Sequence, residues 1–314
     1  MTALPYLDSP TLHSLLSWPV AVQALADALR AGLDPAKSMA RSVLRAGAGE
    51  LLLMPAESPE AVGVKILGIA PENPTAGLPR IQGLYLLLDA ATLTPKMLID
   101  GAALTSLRTP AVSALAISRL AAPDAAVLTV FGTGPQAAAH VHAIGSIRAL
   151  SAVRIIGRDP DRTLGLVDAL RAAGVPAGIG TAHSLRDSDI VLCATTASTP
   201  LFHGDQLPAR ACVVAIGSHQ STLRELDDDV FRRASTVVVE DKATALREAG
   251  DVIMAVAAGA LAAQDLLGLA EILDESGVPG ISVFKSVGMG WQDLAVAQAA
   301  QTAWAAASTP GGAH

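Results

Sequence analysis

Val127-Leu128-Thr129-Val130-Phe131 runs directly into Gly132-Thr133-Gly134-Pro135-Gln136-Ala137, and the reading of this stretch decides the fold. The first part is apolar and rich in β-branched residues, as a strand buried on both faces must be. The glycines then stop the strand, and an apolar helical pattern opens at Pro135 and continues through His140 and Ile144. Strand, glycine turn and helix start together make a cradle for a pyrophosphate. The first glycine allows the tight turn and the second lets backbone approach the phosphate. The helix N-terminus presents unpaired N–H groups and a partial positive charge. Ala137 takes the small-residue position where the helix packs against its strand.

The βα alternation continues beyond this point. Val153–Ile156 reads as a second strand, followed by Gly157-Arg158-Asp159-Pro160. Binders of NAD usually carry an acid here that accepts from the ribose 2′-hydroxyl. Gly157 instead offers space and Arg158 a positive charge, which suits a 2′-phosphate, so NADP(H) is expected in preference to NAD(H). Asp159 has two readings, a helix N-cap ahead of Pro160 or a displaced ribose ligand. Further strands are expected at Ile190–Ala194, Val213–Ile216 and Thr236–Val239, and Ser282-Val283-Phe284-Lys285-Ser286-Val287-Gly288 reads as a strand into a glycine turn. A final alanine-rich helix is expected around Trp291–Ala306. Ala194-Thr195-Thr196 and Ile216-Gly217-Ser218-His219 would then line the carboxyl edge of a parallel sheet, where ligands bind.

The first hundred residues alternate differently. After a helix near Trp18–Gly32 come strand-like runs at Ala40–Leu44, Glu50–Pro55, Val62–Ile69, Gln82–Asp89 and Lys96–Ile99. Gly, Pro and Asn turns between them predict a mainly antiparallel sheet or open barrel. Lys65 stands out inside Ala61-Val62-Gly63-Val64-Lys65-Ile66-Leu67. It reads either as a desolvated lysine suited to proton transfer or anion binding, or as an edge-strand lysine snorkelling to water. A helix follows from Gly101 to Leu120, with Pro110 expected to kink it or start a new turn. Arg108 on that helix reads as a phosphate ligand or as a solvated surface group.

At 314 residues the chain has room for two domains, and half of its residues are apolar. A formal net charge of −7 argues against a nucleic-acid surface. The longest apolar run, Val252–Ala263, is too short to span a bilayer. Cys193 and Cys212 lack metal-like spacing. MTALPYLDSP at the start has no signal-peptide pattern, so a cytoplasmic protein is expected. Arg224-Glu225-Leu226-Asp227-Asp228-Asp229 reads as a helix start capped by Asp227 or Asp228 rather than a metal site, and no metal is expected. His140 and His142, two apart on a helix, are poor joint ligands. His219, in a glycine-bounded loop, reads as catalytic or as a hydrogen-bonded loop residue.

With these segments in place the chain resembles the ornithine cyclodeaminase/mu-crystallin family from about Tyr6 to Asp293. The resemblance rests on Arg41, Val64-Lys65, Gly77-Leu78-Pro79-Arg80-Ile81-Gln82-Gly83, Asp100-Gly101 and Leu107-Arg108-Thr109. It continues through Gly132-Thr133-Gly134-Pro135-Gln136-Ala137, Gly217-Ser218-His219, Arg224-Glu225-Leu226-Asp227, Gly250-Asp251 and Phe284-Lys285-Ser286-Val287-Gly288. It implies an α/β protein: a doubly wound Rossmann NAD(P)-binding domain (113–291) and an α+β substrate-binding and dimerisation domain (1–112 and 292–314). It further implies a homodimer, a substrate carboxylate met by Arg41 and Lys65, and a cofactor held by Arg108, Thr109, Gly132, Thr133, Gly134 and Gln136. Thr195 and Ser286 would lie near the nicotinamide.

The family's cyclodeaminases carry an aspartate where this chain has His219 and bind NAD. A Gly-Ser-His loop before Arg-Glu-Leu looks more like the family's cyclic imino acid reductases. Two departures from the pattern are Gln220-Ser221, where many relatives have a proline, and Pro110 for a usual alanine. The resemblance thus implies NADPH-dependent reduction of Δ1-pyrroline-2-carboxylate or Δ1-piperidine-2-carboxylate to L-proline or L-pipecolate, with Lys65 and His219 as catalytic candidates. The rivals are an ornithine cyclodeaminase, an alanine-dehydrogenase-like enzyme and a mu-crystallin-like NADPH-dependent binding protein.

Overall fold

Alternating apolar residues between turn signals in the first hundred residues give a sheet with one buried face. In a computed structural model, which describes residues 4–218 and 220–308, the chain divides into two units. One runs up to Ala111 and resumes at Met289; the other is Val112–Gly288. The first begins with β1 (Tyr6–Leu7), α1 (Ser9–Leu15) and α2 (Trp18–Arg30). Asp8 caps α1 by accepting from the Thr11 N–H, and Gly32 follows α2 in the left-handed conformation that glycine favours (φ 94).

Five strands follow: β2 (Ser42–Ala46), β3 (Gly49–Glu57), β4 (Ala61–Ile69), β5 (Ile81–Asp89) and β6 (Pro95–Asp100). They form an antiparallel meander, and β1 adds to β6 in parallel, giving the order β1-β6-β5-β4-β3-β2. The sheet is open, with β4 well inside it, so Lys65 is not on an edge strand. From Asp100, whose carboxylate accepts the Ala102 and Ala103 N–H groups, the chain enters α3 (Gly101–Leu120). This is one helix with Pro110 inside it, running from the first unit into the second.

The second unit alternates strands and helices: β7 (Val127–Phe131), α4 (Pro135–Ile147), β8 (Ala152–Ile156), α5 (Pro160–Ala172), β9 (Ala177–Ile179), β10 (Ile190–Cys193) and β11 (Ala211–Ala215). Then come α6 (Asp228–Arg233), β12 (Ala234–Val239), α7 (Lys242–Glu248), α8 (Gly250–Ala257), β13 (Leu266–Gly268) and β14 (Ile281–Lys285). All eight strands pair in parallel in the order β13-β12-β14-β11-β10-β7-β8-β9. Strand order reverses about β7, which is the doubly wound topology and puts loop-borne chemistry at the carboxyl edge. β10, β11 and β14 are buried throughout, matching their continuous apolar runs. The three-residue strands β9 and β13 carry too little pattern to be read from sequence. Asp227 caps α6 through the Val230 N–H, as the acidic run predicts.

The last helix, α9 (Gly290–Ser308), belongs to the first unit and packs on β3, β4 and β5, and on α1 and α2. It covers the sheet face to which Lys65 points. The opposite face presents Leu44, Leu51, Ile66 and Leu84 to solvent. Among the described residues no helix is long and apolar enough to cross a membrane.

Candidate active site

In the first unit, side chains alternate along β4, so Lys65 shares the covered face with Gly63 and Leu67. Its neighbours across the sheet are Met54 and Tyr85. The lysine is wholly buried, and so is its counter-ion Asp293, in the first turn of α9, where a helix N-terminus favours a carboxylate. The ammonium lies 2.8 Å from Asp293 Oδ2 and donates to Oδ1 at 2.9 Å and to Thr105 Oγ1 at 3.2 Å.

Arg108 comes into the same cluster from α3. Its Nε is 3.3 Å from Asp293 Oδ1, and its Nη1 donates to Gln292 Oε1 at 2.7 Å. Arg41, half-buried just before β2, adds a third positive charge near enough to act on Lys65. Burial, then the Arg108 charge, push the Lys65 pKa down from 10.5 to about 8 against the pull of Asp293. Lys65 and Arg108 thus share one buried carboxylate, and that excess of positive charge suits an anionic ligand. Thr109 Oγ1, next along α3 from Arg108, is buried without a hydrogen-bond partner. Arg80, by contrast, is exposed.

In the second unit the glycine turn has the geometry its sequence implies. Gly132 sits at φ +123, and a Cβ there would lie 2.3 Å from the Ala194 carbonyl oxygen. Gly134 occupies the N-cap of α4 without a side-chain cap, and the space where its Cβ would be is open, so the first-turn N–H groups remain for a ligand. Gln136 Oε1 is buried without a partner. A Cβ on Gly157 would meet Thr133 Cγ2 at 2.5 Å and Thr163 Oγ1 at 2.4 Å. Arg158 is exposed beside it, while Asp159 is the α5 N-cap, accepting from the Asp161 and Arg162 N–H groups. Uncapped helix N–H groups and a turn that excludes side chains together fit the pyrophosphate of a dinucleotide. His140 is buried, with its ring nitrogens on Gln136 O and Ser113 Oγ, whereas His142 is exposed.

The carboxyl ends of β10, β11, β12 and β14 hold buried charges that the sequence reading passed over. Glu225 accepts from Thr195 N and Oγ1 at 2.8 and 2.7 Å and from Gly217 N at 2.7 Å. Burial pushes its pKa up; Lys285 and those donors hold it down. Lys285 is paired with Asp251 at 3.0 Å and donates to the Ser218 carbonyl at 2.6 Å, and both side chains are fully buried. Ser286 Oγ donates to Glu240, which also accepts from the Val287 and Gly288 N–H groups. Lys285 could have been flagged by the rule that picked out Lys65, since both interrupt apolar strands. His219 lies outside the described residues.

Known proteins resemble this chain along most of its length. The family model described as "Ornithine cyclodeaminase/mu-crystallin family" matches residues 20–308. The Delta(1)-pyrroline-2-carboxylate reductase of Bacillus cereus (strain ZK / E33L) is 33% identical over 258 residues, 79% of each chain. The Delta(1)-pyrroline-2-carboxylate/Delta(1)-piperideine-2-carboxylate reductase of Azospirillum brasilense is 32% identical over 317 residues, covering 98% of this chain and 99% of that one. Among solved structures, the Thermococcus litoralis Delta(1)-pyrroline-2-carboxylate reductase in complex with NADH and L-proline superposes with a TM-score of 0.88. It is 27% identical, with coverage of 98% of this chain and 99% of that one.

Proposed function

The chain belongs to the ornithine cyclodeaminase/mu-crystallin family, and we propose that it reduces a cyclic ketimine carboxylate, Δ1-pyrroline-2-carboxylate or Δ1-piperidine-2-carboxylate, to L-proline or L-pipecolate. The observation that carries this reading is the surplus of positive charge around Lys65. It calls for a small carboxylate ligand, and relatives alignable over most of the chain are named for such substrates. In this reading residues 1–112 and 292–314 bind substrate and residues 113–291 bind the cofactor.

Arg41 and Lys65 take the substrate carboxylate, Arg41 through a planar fork that fixes the ring's orientation. Reduction of a C=N bond needs a proton at nitrogen, and Lys65, with its pKa pushed down to about 8, holds one it can give up near neutral pH. Asp293 keeps Lys65 and Arg108 in place. A bound nicotinamide supplies the hydride to the imine carbon. Gly132, Thr133, Gly134 and Gln136 hold the pyrophosphate, with Arg108 and Thr109 contributing on the cofactor side. Thr195 and Ser286 flank the ring, and His219 assists proton delivery.

NADP(H) is the preferred cofactor in this proposal, because exposed Arg158 offers a positive charge for a 2′-phosphate; Gly157, expected to leave space, instead lets Thr133 and Thr163 pack close to the backbone. The exposed apolar face of Leu44, Leu51, Ile66 and Leu84 supports a homodimer formed through the first sheet. The unbridged, buried cysteines are consistent with a cytoplasmic location.

The test is to incubate purified protein with NADPH or NADH and each cyclic imine and follow loss of reduced cofactor. Turnover of an imine is expected. Turnover of ornithine with NAD, and of neither imine, would overturn the proposal.

A further inference from the structure

β7 lies inside the second sheet, with β8 on one side and β10, β11 and β14 on the other. A pyrophosphate crossing the β7 turn therefore sends one nucleoside toward Arg158, at the end of β8, and the other toward the end of β10. Thr195 stands there, two residues beyond Cys193. A hydroxyl has one hydrogen and two lone pairs. The Thr195 hydrogen goes to Glu225 Oε1 at 2.7 Å, and one lone pair accepts the Ala197 N–H at 3.1 Å. One lone pair remains, so toward a ligand Thr195 can accept and cannot donate.

The carboxylate that imposes this polarity is itself fixed. Both of its oxygens are occupied by backbone N–H groups, Thr195 N on one and Gly217 N on the other. Asp251 Oδ1 pins the Glu225 backbone through the Glu225 and Leu226 N–H groups at 2.7 and 2.8 Å. A Cβ on Gly217 would lie 2.5 Å from Glu225 Oε1, so the loop backbone closes over the carboxylate and no side chain intervenes. Glu225 is fully buried and does not reach solvent itself.

We infer that Glu225 is a positioning residue that makes Thr195 an acceptor-only hydroxyl, and that Thr195 thereby recognises the amide N–H of the nicotinamide carboxamide and sets the ring's orientation. The inference rests on the dinucleotide reading above. It adds a polarity to that site: a cofactor whose carboxamide lacks its N–H loses the contact, although its shape is almost unchanged.

The experiment is a fluorescence titration of the whole protein with the reduced cofactor and with its reduced acetylpyridine analogue, in which a methyl group replaces the amide nitrogen. The wild type should bind the amide form about tenfold more tightly, the scale of one lost hydrogen bond. Thr195→Val, nearly isosteric, should bind the two forms within about twofold of each other. Glu225→Ala should lose the discrimination as well, because the Thr195 hydroxyl loses the fixed acceptor for its hydrogen and is free to donate. Thermal unfolding shows which variants are folded, and discrimination that survives in folded Glu225→Ala would overturn the positioning role, while Thr195→Val tests the carboxamide contact by itself. A residue that merely stiffened the loop would weaken both dinucleotides equally. Equal binding of the two forms by the wild type, or discrimination that survives in Thr195→Val, would overturn the inference and leave the functional reading standing. Failure to bind either dinucleotide would overturn the functional reading and this inference with it.

Discussion

The Lys65 ammonium and the Asp293 carboxylate, 228 residues apart in sequence, meet at 2.8 Å with neither side chain exposed to solvent. An ion pair so buried is held by geometry rather than by net stability, since desolvation offsets most of its Coulomb energy. Breaking it is costly, because a charge is left behind. Asp293→Asn is expected to lower unfolding free energy by on the order of 3 kcal/mol in urea denaturation. It should also raise the KM for the imine, since Lys65 and Arg108 lose the group that aims them. Wild-type stability and KM in this variant would contradict the role given to Asp293.

The pH dependence follows from Lys65. Its folded pKa, about 8, is below the ordinary 10.5, so between those values the unfolded chain binds more protons than the folded one. The cost of burying the ammonium is fully present below pH 8 and is relieved as pH rises toward 10.5. The stability of the wild type relative to Lys65→Met should therefore increase through this window. As the proton donor, Lys65 should also make kcat/KM for imine reduction fall above about pH 8. Lys65→Arg should move that limb upward, and a profile identical in the two proteins would exclude Lys65 as the titrating group.

The fold was largely legible because its signals are local. Val127–Ala137 carries strand, turn and helix start within one short stretch, and the first sheet's turns are marked by Gly, Pro and Asn. Lys65 was visible because a lysine in an apolar strand is conspicuous. Asp293 was not: it opens an alanine-rich helix where an acid reads as a helix-start residue, and its partner is on a distant strand. Glu225 was hidden in an acidic run whose obvious reading was the Asp227 cap. Pairing between remote elements, which gives both acids their roles, leaves no periodicity to read.

Cofactor choice is tested at Arg158. Arg158→Asp should lower the NADPH-over-NADH preference in kcat/KM by about tenfold or more, the scale of a lost charge-assisted contact. An unchanged preference would contradict the assignment of the 2′-phosphate to this residue.

Assembly is tested on the open face of the first sheet. Ile66, 40% exposed, stands opposite Leu84, 41% exposed, with Leu51 and Leu44 on the same face. Ile66→Glu should turn a dimeric wild type into a monomer in sedimentation velocity. A monomeric wild type, or a variant that stays dimeric, would remove the dimer from the account.

The most direct test is to supply cofactor deuterated at the reactive ring carbon, together with Δ1-pyrroline-2-carboxylate or Δ1-piperidine-2-carboxylate, and analyse the product by mass spectrometry and NMR. The account predicts L-proline or L-pipecolate with deuterium on the α-carbon, formed by the wild type and greatly reduced in Lys65→Met. An imine left untouched, while ornithine loses ammonia with no net consumption of cofactor, would contradict it.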